Sequence, residues 1–85
     1  MSKLIPAAER VIRARQFIQQ ARDLPPSSEL GKNDLSWLAG VRDLLRQARD
    51  MVKFISMTPS ASAEIKEEVK RIYQEADQAD REILQ

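Results

Sequence analysis

The chain is 85 residues long, 42% hydrophobic and 32% charged, with a formal net charge of +1. A chain of this length supports one domain, over residues 1–85, and buries only roughly 60–65% of the surface its unfolded form exposes, so its core is thin. It has neither cysteine nor histidine, which excludes a disulfide framework, a thiolate nucleophile, and the commonest general base and metal ligand.

The first apolar stripe is Leu4, Ala7, Val11, Ala14, Ile18 and Ala21. Steps that alternate between three and four residues keep side chains on one face of a helix. Pro6 falls in the first turn, where a missing N–H costs nothing. The run Pro25-Pro26-Ser27-Ser28 ends the helix, because Leu24 precedes a proline and is pushed out of the α region. The second stripe is Leu38, Val41, Leu45, Ala48, Val52 and Ile55, entered through Gly31 and a cap at Asn33 or Asp34. Gly40 lies inside it and costs about 1 kcal/mol against alanine; a close helix crossing is the expected reason. The third stripe is Ile65, Val69, Ile72, Ala76, Ala79 and Ile83, with Thr58 as a capping hydroxyl and Pro59 at the first helical position. Helices are expected at about 4–24, 34–57 and 59–84, each roughly 30–35 Å long.

Three amphipathic helices joined by short connections predict an all-α fold, an antiparallel three-helix bundle running up-down-up. Helix 2 carries a second apolar row, Trp37, Leu44 and Met51, and helix 1 a matching flank, Phe17 and Leu24. The two flanks are expected to meet in the core. The alternative is that the Trp37 row is exposed and self-associates, and Ile5 with Ile12 on the other flank of helix 1 keeps a homodimer open. The segment Arg15–Leu24 (RQFIQQARDL) resembles Arg42–Met51 (RDLLRQARDM). Shared helix composition and a duplicated helix both account for it.

Charge divides by helix. Lys3, Arg10, Arg13, Arg15 and Arg22 outnumber Glu9 and Asp23 on helix 1, whereas helix 3 carries three more acidic than basic residues. In an up-down-up bundle these two helices run parallel, so Arg15 and Arg22 should border Glu68, Glu75 and Glu82 and help set the register. A basic row on helix 2, Arg42, Arg46, Arg49 and Lys53, is the candidate partner-binding surface. Lys66 and Lys70 are expected on the same side, with Arg42 reaching Asp77 or Asp80 and the other three facing the lysines. The Trp37, Leu44 and Met51 row is the secondary, apolar candidate.

Nothing in the sequence assembles a catalytic, cofactor or metal site. Gly31 and Gly40 stand alone, and the inward positions of helix 3 are Ile, Val and Ala rather than carboxylates. Tyr73-Gln-Glu-Ala-Asp77 with Trp37-Leu-Ala-Gly40 resembles the motifs of small helical substrates of type VII secretion, although the Trp–Gly spacing differs by one and those are two-helix hairpins. The stretch Ile65–Asp77 resembles the last helix of microtubule-interacting-and-transport domains, three-helix adaptors; that implies peptide helices bound between helices 2 and 3. The expected function is a non-enzymatic protein–protein interaction or adaptor module, binding an acidic or amphipathic helix or itself. The alternative is a small nucleic-acid-associated protein using the helix 2 row, for which net charge and aromatic content are both low. No leader-like apolar run and no stretch near the ~20 apolar residues of a bilayer span is present, so a cytoplasmic, non-membrane protein is expected.

Overall fold

A computed structural model of the chain describes residues 6–25 and 35–84. Three α-helices, α1 (Ala7–Asp23), α2 (Leu35–Val52) and α3 (Ala63–Leu84), make up the fold, with a short 3-10 turn at Ile55–Met57 and no strand among the described residues. At 1.5 Å per residue α3 is about 33 Å long. The other two, at roughly 25–27 Å, fall short of the expected equal lengths.

Each difference in the helix ends has a local cause. Pro6 is the cap residue rather than part of the first turn: its ψ of 150° is extended, and its carbonyl accepts the first helical bond from Arg10 N at 3.0 Å. The start expected near residue 4 and the Asn33/Asp34 cap lie outside the described residues. α1 ends as expected, with Leu24 extended at ψ 113° before Pro25. α2 stops five residues early. Past Val52 the chain tightens, with Met57 N and Thr58 N bonded to the carbonyls of Phe54 and Ile55. The Ser56 hydroxyl donates to the Lys53 carbonyl and the Thr58 hydroxyl to that of Phe54. Hydroxyls that satisfy late carbonyls compete with continuation of a helix.

The expected Thr58-Pro59 cap is therefore wrong. The Thr58 hydroxyl is committed backwards, and a turn closed by Ala61 N on the Thr58 carbonyl carries the chain over Pro59 and Ser60. Ser62 caps α3 instead: its Oγ accepts from Ile65 N at 3.2 Å, the bond that an N-cap makes to the third helical residue. Glu64 then occupies the first turn, where the helix dipole favours an acid.

The three stripes meet in one core. Val11, Ala14, Ile18 and Ala21 of α1, Trp37, Val41, Leu45, Ala48 and Val52 of α2, and Val69, Ile72, Ala76 and Ala79 of α3 are buried, and Ile55 closes one end. Phe17, Leu24, Leu44 and Met51 pack half-buried against it, so the two apolar flanks belong to the core. Trp37 Nε1 donates to the Leu24 carbonyl at 2.7 Å, giving the indole its polar partner. Arg10 Nη1 reaches the Met51 carbonyl at 3.5 Å, so the start of each helix meets the end of the other and α1 and α2 are antiparallel. Arg15 meets Glu75 and Arg22 meets Glu82, a constant offset that makes α1 and α3 parallel. The close approach at Gly40 comes from the end of α1: a Cβ there would lie 3.1 Å from Leu24 Cδ2.

Candidate interaction site

The charged edge between α1 and α3 forms as the sequence predicts. Arg15 contacts Glu68 at 2.6 Å and Glu75 at 3.1 Å, Arg22 pairs with Glu82, and Glu68 is shared with Arg71. The hydrogen bond that Arg15 donates to Glu75 raises its pKa, burial lowers it, and the bond it donates to Glu68 raises it further. The Arg15 bond holds the Glu68 carboxyl below its ordinary range, and bonds from Arg22 and then Gln78 do the same for Glu82. These acids are spent on the fold. Among the described residues no three acidic side chains come together as a cation site.

The basic row of α2 is placed differently from expectation. Asp77 pairs with Arg49, at 2.8 Å, and not with Arg42. The register is displaced by two turns because the connection from α2 to α3 runs through the 3-10 turn and the Pro59-Ser60 bend rather than a tight turn at Thr58. Arg46 pairs with Asp43, Lys53 with Asp50 at 3.6 Å, and Lys70 with Glu67 at 3.7 Å. Arg42 and Lys66 form no ion pair among the described residues. Four of the six candidate cations, Arg46, Arg49, Lys53 and Lys70, thus have an acidic partner within the chain. Of the apolar candidates, Trp37 is buried and Leu44 and Met51 are half-buried.

A surface that periodicity did not single out lies at the α2–α3 connection. Phe54 is 60% and Met57 67% exposed, on either side of buried Ile55. The 3-10 tightening rotates Ile55 inward and leaves its large neighbours facing out. Beside them is an open cleft of about 410 Å³ lined by Ala7, Arg10, Phe54, Ile55, Thr58, Ser60 and Ala61. The Lys53 ammonium sits 5.1 Å from the centre of the Phe54 ring, within cation–π range. Phe54 was the available signal: it falls off the Leu38–Ile55 stripe, and an aromatic off the stripe in a chain with only four aromatics is a surface candidate. Ile12, at 51%, and Leu35, at 79%, are exposed elsewhere.

Comparison with protein-family models, curated proteins and solved structures finds no match to the chain. Among the described residues no helix is long and apolar enough to cross a membrane.

Proposed function

We propose that the chain is a non-enzymatic helical interaction module that docks a partner at the α2–α3 connection. The observation that carries this reading is Phe54 and Met57, two large side chains displayed beside the cleft. Two hydroxyl-to-carbonyl bonds and two backbone bonds across three residues hold the main chain that carries them in place. Rigid presentation of an aromatic anchor beside a concave surface lowers the ordering cost of binding. The basic-row reading, with nucleic acid as partner, is the weaker one, because four of its six cations already have acidic neighbours within the chain. A cysteine-free chain suits a reducing cytoplasm, the compartment we propose.

The test is capture from a nuclease-treated native lysate on immobilised full-length chain. Partner recovery is expected to survive nuclease and Arg42→Glu and to be lost in Phe54→Asp, whose fold is checked by circular dichroism. Capture that is indifferent to Phe54→Asp, or lost on nuclease or with Arg42→Glu, returns the function to the basic row.

A further inference from the structure

We infer that Met57 is a reversible oxidation site, at which a hydroperoxide such as hydrogen peroxide switches the docking surface off. This rests on the docking reading above and supplies its regulation. The chain has no cysteine, so its sulfur redox chemistry belongs to methionine thioethers. Among the described residues these are Met51 and Met57, and the fold treats them oppositely. Met51 packs half-buried against the core from α2, whereas Met57 is 67% exposed. The 3-10 turn is the cause. With about three residues per turn, side chains at i and i+3 eclipse, and the bond from Met57 N to the Phe54 carbonyl, at 3.2 Å, closes such a step. Phe54 and Met57 therefore share one outward face while Ile55 turns into the core. A thioether so displayed meets peroxide from solvent, and its oxidation falls on the contact pair itself. A lone pair of Met57 Sδ attacks one peroxide oxygen; the O–O bond breaks as the S–O bond forms, and the other oxygen leaves as water after a proton moves to it. Sulfur loses two electrons and the peroxide gains them. The sulfoxide is polar where the thioether was apolar, and a partner that closes over Phe54 has to desolvate it. A methionine sulfoxide reductase returns the thioether, with two thiols oxidised to a disulfide and the oxygen released as water.

The test treats the full-length chain with hydrogen peroxide and then removes the reagent. Trypsin separates the two sites, because cleavage after Arg49, Lys53 and Lys66 puts Met51 in residues 50–53 and Met57 in residues 54–66. By mass spectrometry, peptide 54–66 is expected to gain one oxygen severalfold faster than 50–53 while the far-UV spectrum stays unchanged. Sulfoxide reductase with dithiothreitol should take that oxygen off. The oxidised chain, immobilised as above, should recover about tenfold less of the Phe54-dependent partner from desalted, nuclease-treated lysate, in line with burial of an unsatisfied polar group. Reductase should restore the recovery. In Met57→Leu the ratio of recovery with and without peroxide should rise to one, whatever recovery that variant starts from. Equal oxidation of the two peptides, an oxygen that reductase does not remove, or a peroxide effect that persists in Met57→Leu overturns the proposal. Selective oxidation of Met57 with Phe54-dependent capture unaffected leaves the docking reading standing and the switch wrong; capture indifferent to both Phe54→Asp and peroxide removes both.

Discussion

Segments Arg15–Leu24 of α1 and Arg42–Met51 of α2 share a sequence pattern and are treated alike by the fold, up to a point. Ile18 and Leu45 are buried, as are Ala21 and Ala48, while Phe17 and Leu44, and Leu24 and Met51, are half-buried in pairs. The equivalence extends to the ends. Five residues ahead of each segment, Arg10 and Trp37 donate to the carbonyls of Met51 and Leu24, which are the closing residues of the opposite segment. The two helices therefore pack with an approximate internal twofold. It fails where α3 is met, because a single helix runs parallel to one and antiparallel to the other. Beside α1, the seven-residue spacing of Glu68, Glu75 and Glu82 gives Arg15 two partners and Arg22 one. Beside α2, Arg49 meets Asp77, and Arg42 has no ion pair among the described residues. Matched arginines thus owe their roles to the neighbour and not to their own segment.

The strongest way to break the comparison is at its shared core. Leu45→Asp and Ile72→Asp put a carboxylate where exposure is 1% and 0%. An unpaired buried carboxylate costs several kcal/mol, a large share of the roughly 4–13 kcal/mol available to a domain of this size. Both variants are expected to lose their helical signal and cooperative melting. Ile18→Asp, at the position equivalent to Leu45, should behave the same way. If any of them melts cooperatively near wild type, the buried stripes have been assigned wrongly.

The next effect tests the ends. Trp37→Phe keeps an aromatic ring but removes the 2.7 Å bond to the Leu24 carbonyl. A loss of about 1–2 kcal/mol is expected from urea denaturation, combining a hydrogen bond with some lost volume. Arg10→Gln, at the equivalent place with a 3.5 Å contact, should cost less. A reversed order would mean that the two ends are not pinned in the same way.

Most of the core was legible in the sequence because helical periodicity is a local signal. The buried residues of α1 and α3 all lie on the stripes read from three–four spacing, and the Trp37 row was read correctly as flank packing. The α1–α3 ion pairs were legible for the same reason: parallel helices of known phase fix which charges meet. What escaped was the α2–α3 connection. Its outcome depends on whether the Ser56 and Thr58 hydroxyls bond backwards and whether Ser62 captures the helix start. Several local bonds of about 1 kcal/mol each decide between them, and periodicity does not weigh them. That one connection displaced the register of the basic row and exposed Phe54 and Met57.

The charge asymmetry can be sharpened with smaller changes. Arg15→Ala is expected to destabilise by at most about 1 kcal/mol, since these pairs are partly exposed, and the loss should shrink at high salt. Arg42→Ala should stay within about 0.5 kcal/mol. Equal costs at the two positions would contradict the placement of α3. The acid limb carries the same signature. Folding lowers the Glu68 and Glu82 pKa values from the ordinary 4.5, so the folded chain binds fewer protons than the unfolded one. The resulting stability is fully present above the unfolded value and is lost as pH falls through the lowered one. Glu68→Gln should flatten the decline in melting temperature below pH 4.5, and Asp43→Asn, away from α3, should leave that decline unchanged.

The smallest effect concerns Gly40, which occupies the place in α2 equivalent to Arg13 in α1. Alanine is favoured over glycine within a helix by about 1 kcal/mol, and part of that comes from restricting the unfolded chain. Against this, a Cβ at Gly40 would stand 3.1 Å from Leu24 Cδ2, closer than ordinary van der Waals contact. The atom in the way is the tip of a half-buried leucine just past the end of α1. The Leu24 carbonyl, held by Trp37, fixes the main chain there but leaves the side-chain torsions free to yield a few tenths of an ångström. Gly40→Ala should therefore stabilise the chain by less than about 1 kcal/mol, read as a small rise in the urea midpoint with an unchanged slope. Pairing it with Leu24→Ala, which clears the space, should bring the glycine-to-alanine gain to its full helical value. If Gly40→Ala lowers the midpoint and Leu24→Ala does not restore the gain, something other than Leu24 keeps this position glycine.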